Sequence, residues 1–363
     1  MSPGWRLGPF TYTDAVSEQP GGGGIDLLEF EDAPAPSRHR PEPRWGRRVV
    51  AVILGLLLLF AAAVGAYLLY LNHTASRNIK HENLLPTPDA ALGTQQEALR
   101  SAGQNYLLIG SDARPGDTVS RSDVIIIAHV PDDKKKIYLV HFPRDLYVDV
   151  PGHGKDKINA AYAYGGAPLL VQTLQDLLQI RIDHVAKTDF DGFKNMTDVM
   201  GGVRVWADEP SGAKGKGEVA IQQGWNDLDG TQALGFVRER YQLSEGDISR
   251  GRRQMAFLKA LILKAVTPEV ILNPVKVAQL LDASTKNLVV DQDFTMDLMR
   301  SEAFSLRDIR SADVVFITAP FNGFGTAPNG GSIDILDEPG MQTLGDALRK
   351  GTMDSYTRVT TSP

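Results

Sequence analysis

Aspartates and arginines are concentrated between Asn105 and Val150. Three short apolar runs in this stretch, 106–109, 124–128 and 137–140, are rich in β-branched and aromatic residues, which predicts strands. Charged residues lie at the ends of these runs, namely Asp112, Arg114, Arg121, Asp123, Arg144 and Asp145. Aspartates can bind a divalent cation, and arginines can hold the remaining oxygens of a phosphate in bidentate fashion. For each residue taken alone, a surface ion pair is the alternative role.

A second group of arginines follows a predicted helix at 229–237, which Gly235 weakens. We expect Ser249 to cap the next helix, and the i, i+4 spacing of Arg250 and Gln254 puts them on one side of it. Arginines near a helix N-terminus favour anion binding. The alternative is a basic helix end that is only solvated.

The composition excludes several classes of protein. The chain has 363 residues, 42% of them hydrophobic, with a net charge of −6 and no cysteine. Disulfides and thiolate metal sites are therefore absent, and the acidic balance argues against a nucleic-acid partner. The sequence contains neither a Gly-x-Ser-x-Gly elbow, nor a His-Glu-x-x-His motif, nor a nucleotide-binding glycine fingerprint, so common hydrolase and zinc-protease mechanisms are excluded.

One segment is long and apolar enough to cross a membrane. Val49–Leu71 carries no charge over 23 residues, and as a helix it is about 35 Å long. Arginines precede it more densely than basic residues follow it, which predicts a cytoplasmic N-terminus. We therefore expect a disordered cytoplasmic tail at 1–48, a transmembrane helix at 49–71 and a juxtamembrane linker at 72–103.

Downstream, predicted strands alternate with predicted helices, which is typical of an α/β layered domain. The glycines at 165–166 should end one helical segment and Pro168 should start the next, and Asp191 should cap a further helix. We expect one domain over 104–350 and a flexible tail at 351–363. The remaining predicted elements are strands at 185–190, 203–206, 314–320 and 332–337 and a helix at 341–349.

A series of linked motifs resembles one known family. LIGSDAR, RSDVIII, FPRDLYVDVPG, DKINAAYAYGG, DFDGF, MGGVRV, LDGTQAL, FVRERY and GDISRGRRQ follow one another between Gln104 and Val266. Their order and spacing are similar to those of the LytR-CpsA-Psr family. The resemblance implies a layered α/β/α domain with a central mixed sheet, held outside the cell membrane by a single transmembrane helix. It also implies an enzyme, a magnesium-dependent phosphotransferase that moves a glycopolymer, such as teichoic acid, from a polyprenyl-pyrophosphate carrier to peptidoglycan.

The resemblance also assigns roles to residues. Asp112 and Asp123 would hold Mg²⁺, or Mn²⁺ in its place. Apart from the resemblance, the chemistry needs a base for the acceptor hydroxyl, and Asp112 or Asp145 could serve. An apolar pocket for the prenyl chain is expected from the helices at 169–178 and 255–263. The pyrophosphate ligands would be Arg121, Arg144, Arg238, Arg240, Arg250 and Gln254, and the catalytic group would be Asp112, Arg144, Asp145 and Arg238.

Two other functions are compatible with such a site. A lipid pyrophosphatase would use water in place of the acceptor sugar. A non-catalytic binder or regulator would hold the lipid-linked glycan without turnover.

Overall fold

A computed structural model describes residues 45–87, 99–111, 122–212 and 219–356. Its strands are β1 (Lys80–Glu82), β2 (Gly103–Ser111), β3 (Ser122–Pro131), β4 (Ile137–His141), β5 (Leu146–Val150), β6 (Gly154–Lys157), β7 (His184–Asp189), β8 (Val203–Ala207), β9 (Gly224–Leu228), β10 (Val289–Asp291), β11 (Val314–Thr318), β12 (Phe321–Thr326) and β13 (Ser332–Leu336). Its α-helices are α1 (Trp45–Asn78), α2 (Ile158–Leu178), α3 (Phe190–Val199), α4 (Gly230–Arg238), α5 (Asp247–Ala265), α6 (Pro268–Ile271), α7 (Pro274–Thr285), α8 (Met296–Ser305) and α9 (Glu338–Lys350).

The main sheet has seven strands in the order β1-β10-β7-β2-β3-β4-β11. The pairs β1/β10, β2/β7 and β4/β11 are parallel, whereas β10/β7, β2/β3 and β3/β4 are antiparallel. The central mixed sheet is therefore confirmed. Its middle strands are continuous apolar runs because both of their faces are buried.

Helices cover both faces of this sheet. Ile125 and Ile127 of β3 belong to a core cluster that includes residues of α2 and α9. Ile126 and Ala128, which point to the opposite face, belong to a cluster that includes residues of α5. This alternation confirms the layered α/β/α arrangement.

The predicted break between two helical segments is present in α2. In α2, Gly165 (φ −139°) and Gly166 (φ 65°) are not helical, and Pro168 lies in the first turn of the segment that follows. The positive φ of Gly166 is accessible to glycine without steric cost, which explains why the chain changes direction there. The cap of α3 differs from the prediction, because the Asp189 side chain, not that of Asp191, accepts the Gly192 N–H.

Two smaller sheets complete the domain. One has the order β12-β13-β5-β6, and the other is the β8/β9 pair. The four-stranded sheet positions the segment between β4 and β5, because β13 pairs with β5 at Asp334 and Leu146. The β8/β9 pair contacts α4 and α5 through a separate apolar cluster that includes Phe236.

Within α1, residues Arg48–Asn78 are long and apolar enough to span a membrane by length and composition. The structure differs from the predicted linker at 72–103, because α1 continues to Asn78 and β1 joins the main sheet at its edge. Residues 1–44 and 357–363 of the predicted tails lie outside the described residues, and residues 45–48 belong to α1. Met353 and Tyr356, however, are buried against the core.

Candidate active site

A cavity of about 190 Å³, which we call the polar cavity because three arginines and an aspartate line it, lies between the segment that follows β4 and the first turns of α5. It brings together three of the predicted ligands, Arg144, Arg250 and Gln254. Arg144 is 106 positions before Arg250 in sequence, so only the tertiary fold can place the two in one cavity. The lining residues are His141, Pro143, Arg144, Ile248, Arg250, Gly251, Arg252, Gln254, Met255, Phe316, Ile317, Thr318, Phe321 and Asp334.

Arg144 and Asp145 lie in the short connection from β4 to β5. Both side chains are only 15% exposed, and Arg144 Nε lies 3.7 Å from Asp145 Oδ2. Lys157, at the end of β6, places its Nζ 2.9 Å from Asp145 Oδ1. The carboxylate is therefore held between two cations, because a buried charge needs partners.

Helix α5 contributes Arg250 and Gln254, and both side chains are buried. The helix begins at Asp247 after Gly246, so the predicted cap at Ser249 is wrong. Ser249 is itself buried in the first turn, where its Oγ accepts a hydrogen bond from Arg252. The observed cap, Gly246, lies three residues before the predicted one, which moves the helix boundary but not the shared face of Arg250 and Gln254.

Close packing brings the start of α5 against the end of β4. A Cβ at Gly251 would lie 3.1 Å from the His141 ring, so a larger residue there would displace the histidine. Burial, together with the charge of Arg250, lowers the pKa of His141 to about 4. His141 is therefore neutral at pH 7, and the arginines supply the positive charge of the cavity.

Arg238 and Arg240 are not among the residues that line the polar cavity. Arg238 is the exposed last residue of α4. The guanidinium of Arg240 lies 4.6 Å from the centroid of the Tyr241 ring, and its Nη2 donates a hydrogen bond to the Tyr241 hydroxyl at 2.6 Å. Neither arginine therefore lines the cavity that Arg144 and Arg250 share, although Gln254 Nε2 donates a hydrogen bond of 3.4 Å to the carbonyl oxygen of Val237, next to Arg238.

Of the two predicted metal ligands, only Asp123 belongs to a described element. Asp112 and Arg121 lie outside the described residues, and Asp123 is described only as part of β3. Ser111 and Ser122 are paired across the two strands, next to Asp112 and Asp123 in sequence. The Ser122 hydroxyl is buried and has no hydrogen-bond partner in the described part of the chain. An orphaned hydroxyl beside Asp123 in sequence supplies an oxygen donor of the kind that fits a hard cation such as Mg²⁺.

An apolar cavity of about 180 Å³ adjoins the polar one, and Gln254 lines both. The predicted helix at 255–263 does contribute Phe257 and Leu258. The predicted helix at 169–178 does not, because Leu170 and Leu174 pack in the core on the other face of the main sheet. The remaining lining is supplied mainly by β2, β3, β7, α3 and α4 through Leu108, Ile109, Gly110, Val124, Ile126, Ala186, Thr188, Phe193, Lys194, Gly230, Ala233, Leu234 and Val237, together with Leu288.

Sequence reasoning missed three charged residues around the polar cavity. Arg252 and Asp334 line it, and Lys157 holds Asp145. Arg252 lies inside the quoted GRRQ motif, so its basic neighbours were a usable signal. Asp334 comes from β13, whose pairing with β5 has no sequence signature.

Comparison with known proteins agrees with this architecture. The chain is 33% identical over 325 residues to the probable cell wall biosynthesis protein LcpB of Corynebacterium glutamicum, covering 85% of this chain and 72% of that protein. It is 34% identical over 237 residues to the polyisoprenyl-teichoic acid–peptidoglycan teichoic acid transferase TagT of Bacillus subtilis, covering 63% of this chain and 72% of TagT. The crystal structure of B. subtilis TagV superposes with a TM-score of 0.57 at 25% identity, covering 69% of this chain and 96% of TagV.

A family model matches residues 68–350, which include every described residue that lines the two cavities. The match covers more than half of the chain. The chain therefore belongs to the LytR_cpsA_psr family.

Proposed function

We propose that this protein transfers a glycopolymer phosphate from a polyprenyl-pyrophosphate carrier to peptidoglycan and releases polyprenyl phosphate. The observation that carries the proposal is the junction of a cationic cavity and an apolar cavity at Gln254. A glycan-linked prenyl pyrophosphate has a doubly charged diphosphate joined to a hydrocarbon tail, and the two cavities match these two parts. The related TagT is named as a transferase that joins polyisoprenyl-linked teichoic acid to peptidoglycan.

The chemistry needs no protein nucleophile. An acceptor hydroxyl on the cell-wall sugar attacks the glycan-side phosphorus, the bond from that phosphorus to the bridging oxygen breaks, and polyprenyl phosphate leaves with the bond's electron pair. The hydroxyl proton passes to a carboxylate base. Negative charge grows on the phosphoryl oxygens and on the departing phosphate, and Arg144 and Arg250 are fixed where they can stabilise it. One arginine placed on a transferring phosphate is worth about 10³ in rate.

We further propose Mg²⁺ as the cofactor. Asp112 and Asp123 would hold it, next to the orphaned hydroxyl of Ser122. When bound, such a cation neutralises charge on the pyrophosphate oxygens. The protein groups retain their own tasks, since the arginines bind the diphosphate and the apolar cavity keeps water from the tail.

The membrane topology is part of the same proposal. Helix α1 would cross the cell membrane once, with the N-terminus in the cytoplasm and the domain outside. The arginines at 44, 47 and 48 precede the apolar run and support this orientation. A carrier lipid in the outer leaflet would then reach the domain without leaving the membrane.

The proposal is tested with the purified full-length protein in lipid vesicles, supplied with labelled lipid-linked glycan and peptidoglycan. We expect label bound covalently to peptidoglycan, with none after chelation of divalent cations and recovery on addition of Mg²⁺. Release of only soluble glycan phosphate would identify a pyrophosphatase instead. Binding without any turnover would identify a non-catalytic binder, and full turnover in chelator would remove Asp112 and Asp123 from a metal role.

A further inference from the structure

The corner between α6 and α7 exposes an unusual run of apolar side chains. All five residues from Ile271 to Val275 are exposed. Three of them are large and apolar, with exposed fractions of 54% for Ile271, 80% for Leu272 and 62% for Val275. Contiguous exposed groups of this kind mark interaction surfaces, whereas single exposed apolar residues are ordinary.

This corner lies against the apolar part of α1. The Tyr67 hydroxyl donates a hydrogen bond of 2.7 Å to the carbonyl oxygen of Pro274, the first residue of α7. At the other end of the contact, Asn78 Nδ2 donates to Asp282 Oδ1 at 2.8 Å and to Thr285 Oγ1 at 3.1 Å. Residues from Ala61 onward group as one unit. The last part of α1 therefore belongs structurally to the domain.

The two contacts fix how α7 runs. Tyr67 to Asn78 and Pro274 to Thr285 both span eleven residues, or about 16 Å of helix. Hydrogen bonds join the two starts and the two ends, so α7 runs parallel to the end of α1. Between them, Ala75 and Ile79 are buried in a cluster with Leu281. This packing fixes the corner at the level of Tyr67.

That level lies inside the uncharged run of the sequence. Tyr67 precedes Leu71, the last residue of the run, by four positions, which is about 6 Å along a helix. A membrane that takes up the run as far as Leu71 would therefore extend to the corner. Segments that lie in the interface of a bilayer bury their apolar side chains by about 5–10 Å.

We propose that Ile271, Leu272 and Val275 form a second membrane contact, in which the corner of the domain dips into the lipid beside α1. The inference rests on the membrane crossing of α1 given under the proposed function. The rim of the corner fits lipid headgroups, because Lys264 and Lys276 flank a single acid, Glu269, at 2.9 and 2.5 Å. This set carries a net charge of +1, which favours anionic headgroups.

The absence of cysteine in the chain allows a direct test. Single variants Leu272→Cys, Leu58→Cys and Lys135→Cys of the full-length protein are labelled with an environment-sensitive fluorophore. They are reconstituted in vesicles of phosphatidylcholine and phosphatidylglycerol. Position 58 lies within the apolar run and reports whether α1 is in the membrane. Position 135, whose side chain is 80% exposed in the turn between β3 and β4, reports the aqueous surface of the domain.

We expect the label at 272 to lose about half of its fluorescence to lipids with a nitroxide near the headgroup, and to resist aqueous iodide. The label at 58 should respond most to a nitroxide deep in the acyl chain, and the label at 135 only to iodide. If 272 behaves like 135 while 58 responds to lipid nitroxides, the membrane contact is refuted and the crossing by α1 stands. If 58 does not respond to lipid nitroxides either, both the crossing and the contact fail.

The alternative to lipid is that a second copy of the chain covers the corner. It would shield the label at 272 from iodide and from lipid nitroxides alike. Unlabelled Leu272→Cys chains would then form a disulfide-linked dimer under mild oxidation. That pair of results would overturn the membrane contact.

Discussion

The ammonium nitrogen of Lys157 lies 2.9 Å from Asp145 Oδ1, and Arg144 Nε lies 3.7 Å from the other carboxylate oxygen. Asp145 thus links the end of β6 to an arginine of the polar cavity. Its oxygens are already engaged, which fits a residue that orients Arg144 better than one that accepts a proton from the acceptor sugar.

Asp145→Asn should therefore raise the KM for the lipid donor, by about three- to tenfold, because Arg144 loses its fixed partner. The kcat and its pH profile should stay close to those of the wild type. Asp112→Asn, in comparison, should lower kcat by about 10² or more. Steady-state kinetics over a pH series check both variants, and a loss of the acid limb in Asp145→Asn would make Asp145 the base.

Neighbouring arginines of α5 should have separable roles. Arg250→Ala should lower the kcat/KM of the folded protein by about 10³, because Arg250 lines the polar cavity. Arg253 is the matched control. Its Nη1 donates to Ser211 Oγ at 3.0 Å and its Nη2 to the carbonyl oxygen of Glu209 at 2.8 Å.

Arg253→Met should lower the free energy of unfolding by about 2–4 kcal/mol while the folded fraction keeps its rate within severalfold. Denaturant titration and transfer assays on both variants provide the comparison. Equal catalytic losses in the two would contradict a specific role for Arg250.

Filling the apolar cavity should affect only the tail of the ligand. Leu258→Trp places a larger side chain in the cavity, so the Kd for prenyl pyrophosphate should rise by about tenfold or more, whereas binding of inorganic pyrophosphate should not change. Leu263→Trp lies on the same helix outside the lining and serves as control. Calorimetry with both ligands measures the difference, and unaltered prenyl pyrophosphate binding would place the tail elsewhere.

Two buried histidines should make stability depend on pH. Burial lowers the pKa of His129 to about 4, and burial with the charge of Arg250 lowers that of His141 to about 4. Between pH 6.5 and 4 the unfolded chain binds protons that the folded chain does not. The free energy of unfolding should therefore fall as the pH falls through this window, by up to about 3 kcal/mol for each histidine.

The contribution of His141 can be isolated by urea titrations at a series of pH values. His141→Gln should flatten the dependence between pH 6.5 and 4 relative to the wild type. An identical slope in wild type and His141→Gln would contradict the lowered pKa.

Replacing each of two glycines by alanine should change the free energy of unfolding in opposite directions. A Cβ at Gly345 would lie 2.1 Å from the carbonyl oxygen of Leu178, so Gly345→Ala should destabilise the packing of α9 on α2 by about 1–3 kcal/mol. Gly235 lies inside α4, and a Cβ there would meet its nearest atom, Val219 Cγ2, at an ordinary 3.7 Å. Gly235→Ala should therefore stabilise the protein by up to about 1 kcal/mol, because alanine favours a helix more than glycine does. Denaturation curves decide both, and a shift of the same sign in the two would refute the steric argument.

The parts of the fold that could be predicted from sequence are those with a strong local pattern. The branched runs of β2 to β4 and the Gly165–Gly166 break in α2 are of this kind. By contrast, β1 has the sequence Lys-His-Glu and is a strand only because β10 pairs with it. Helices α6 to α8 were not predicted, since exposed residues such as Leu272 interrupt the amphipathic pattern that reveals a helix.

The candidate site was predictable in its residue types but not in its arrangement. Arg144, Arg250 and Gln254 share a cavity as expected, but Arg238 and Arg240, in the same motif region, do not line it. Sequence spacing could not reveal this, because α4 ends at Arg238 and the chain is extended from Glu239, so Arg238 and Arg240 do not share a helical face. The face of the main sheet that each helix covers is likewise a tertiary property, which is why α2 was wrongly expected at the apolar cavity.

The shared position of Gln254 has a thermodynamic consequence. Since a single amide borders both the charged and the hydrocarbon part of the site, the two halves of an amphiphilic ligand would contact one common group. Their affinities, measured on separate fragments, should not simply sum to that of the intact lipid. Gln254 would thereby couple recognition of the head to recognition of the chain attached to it.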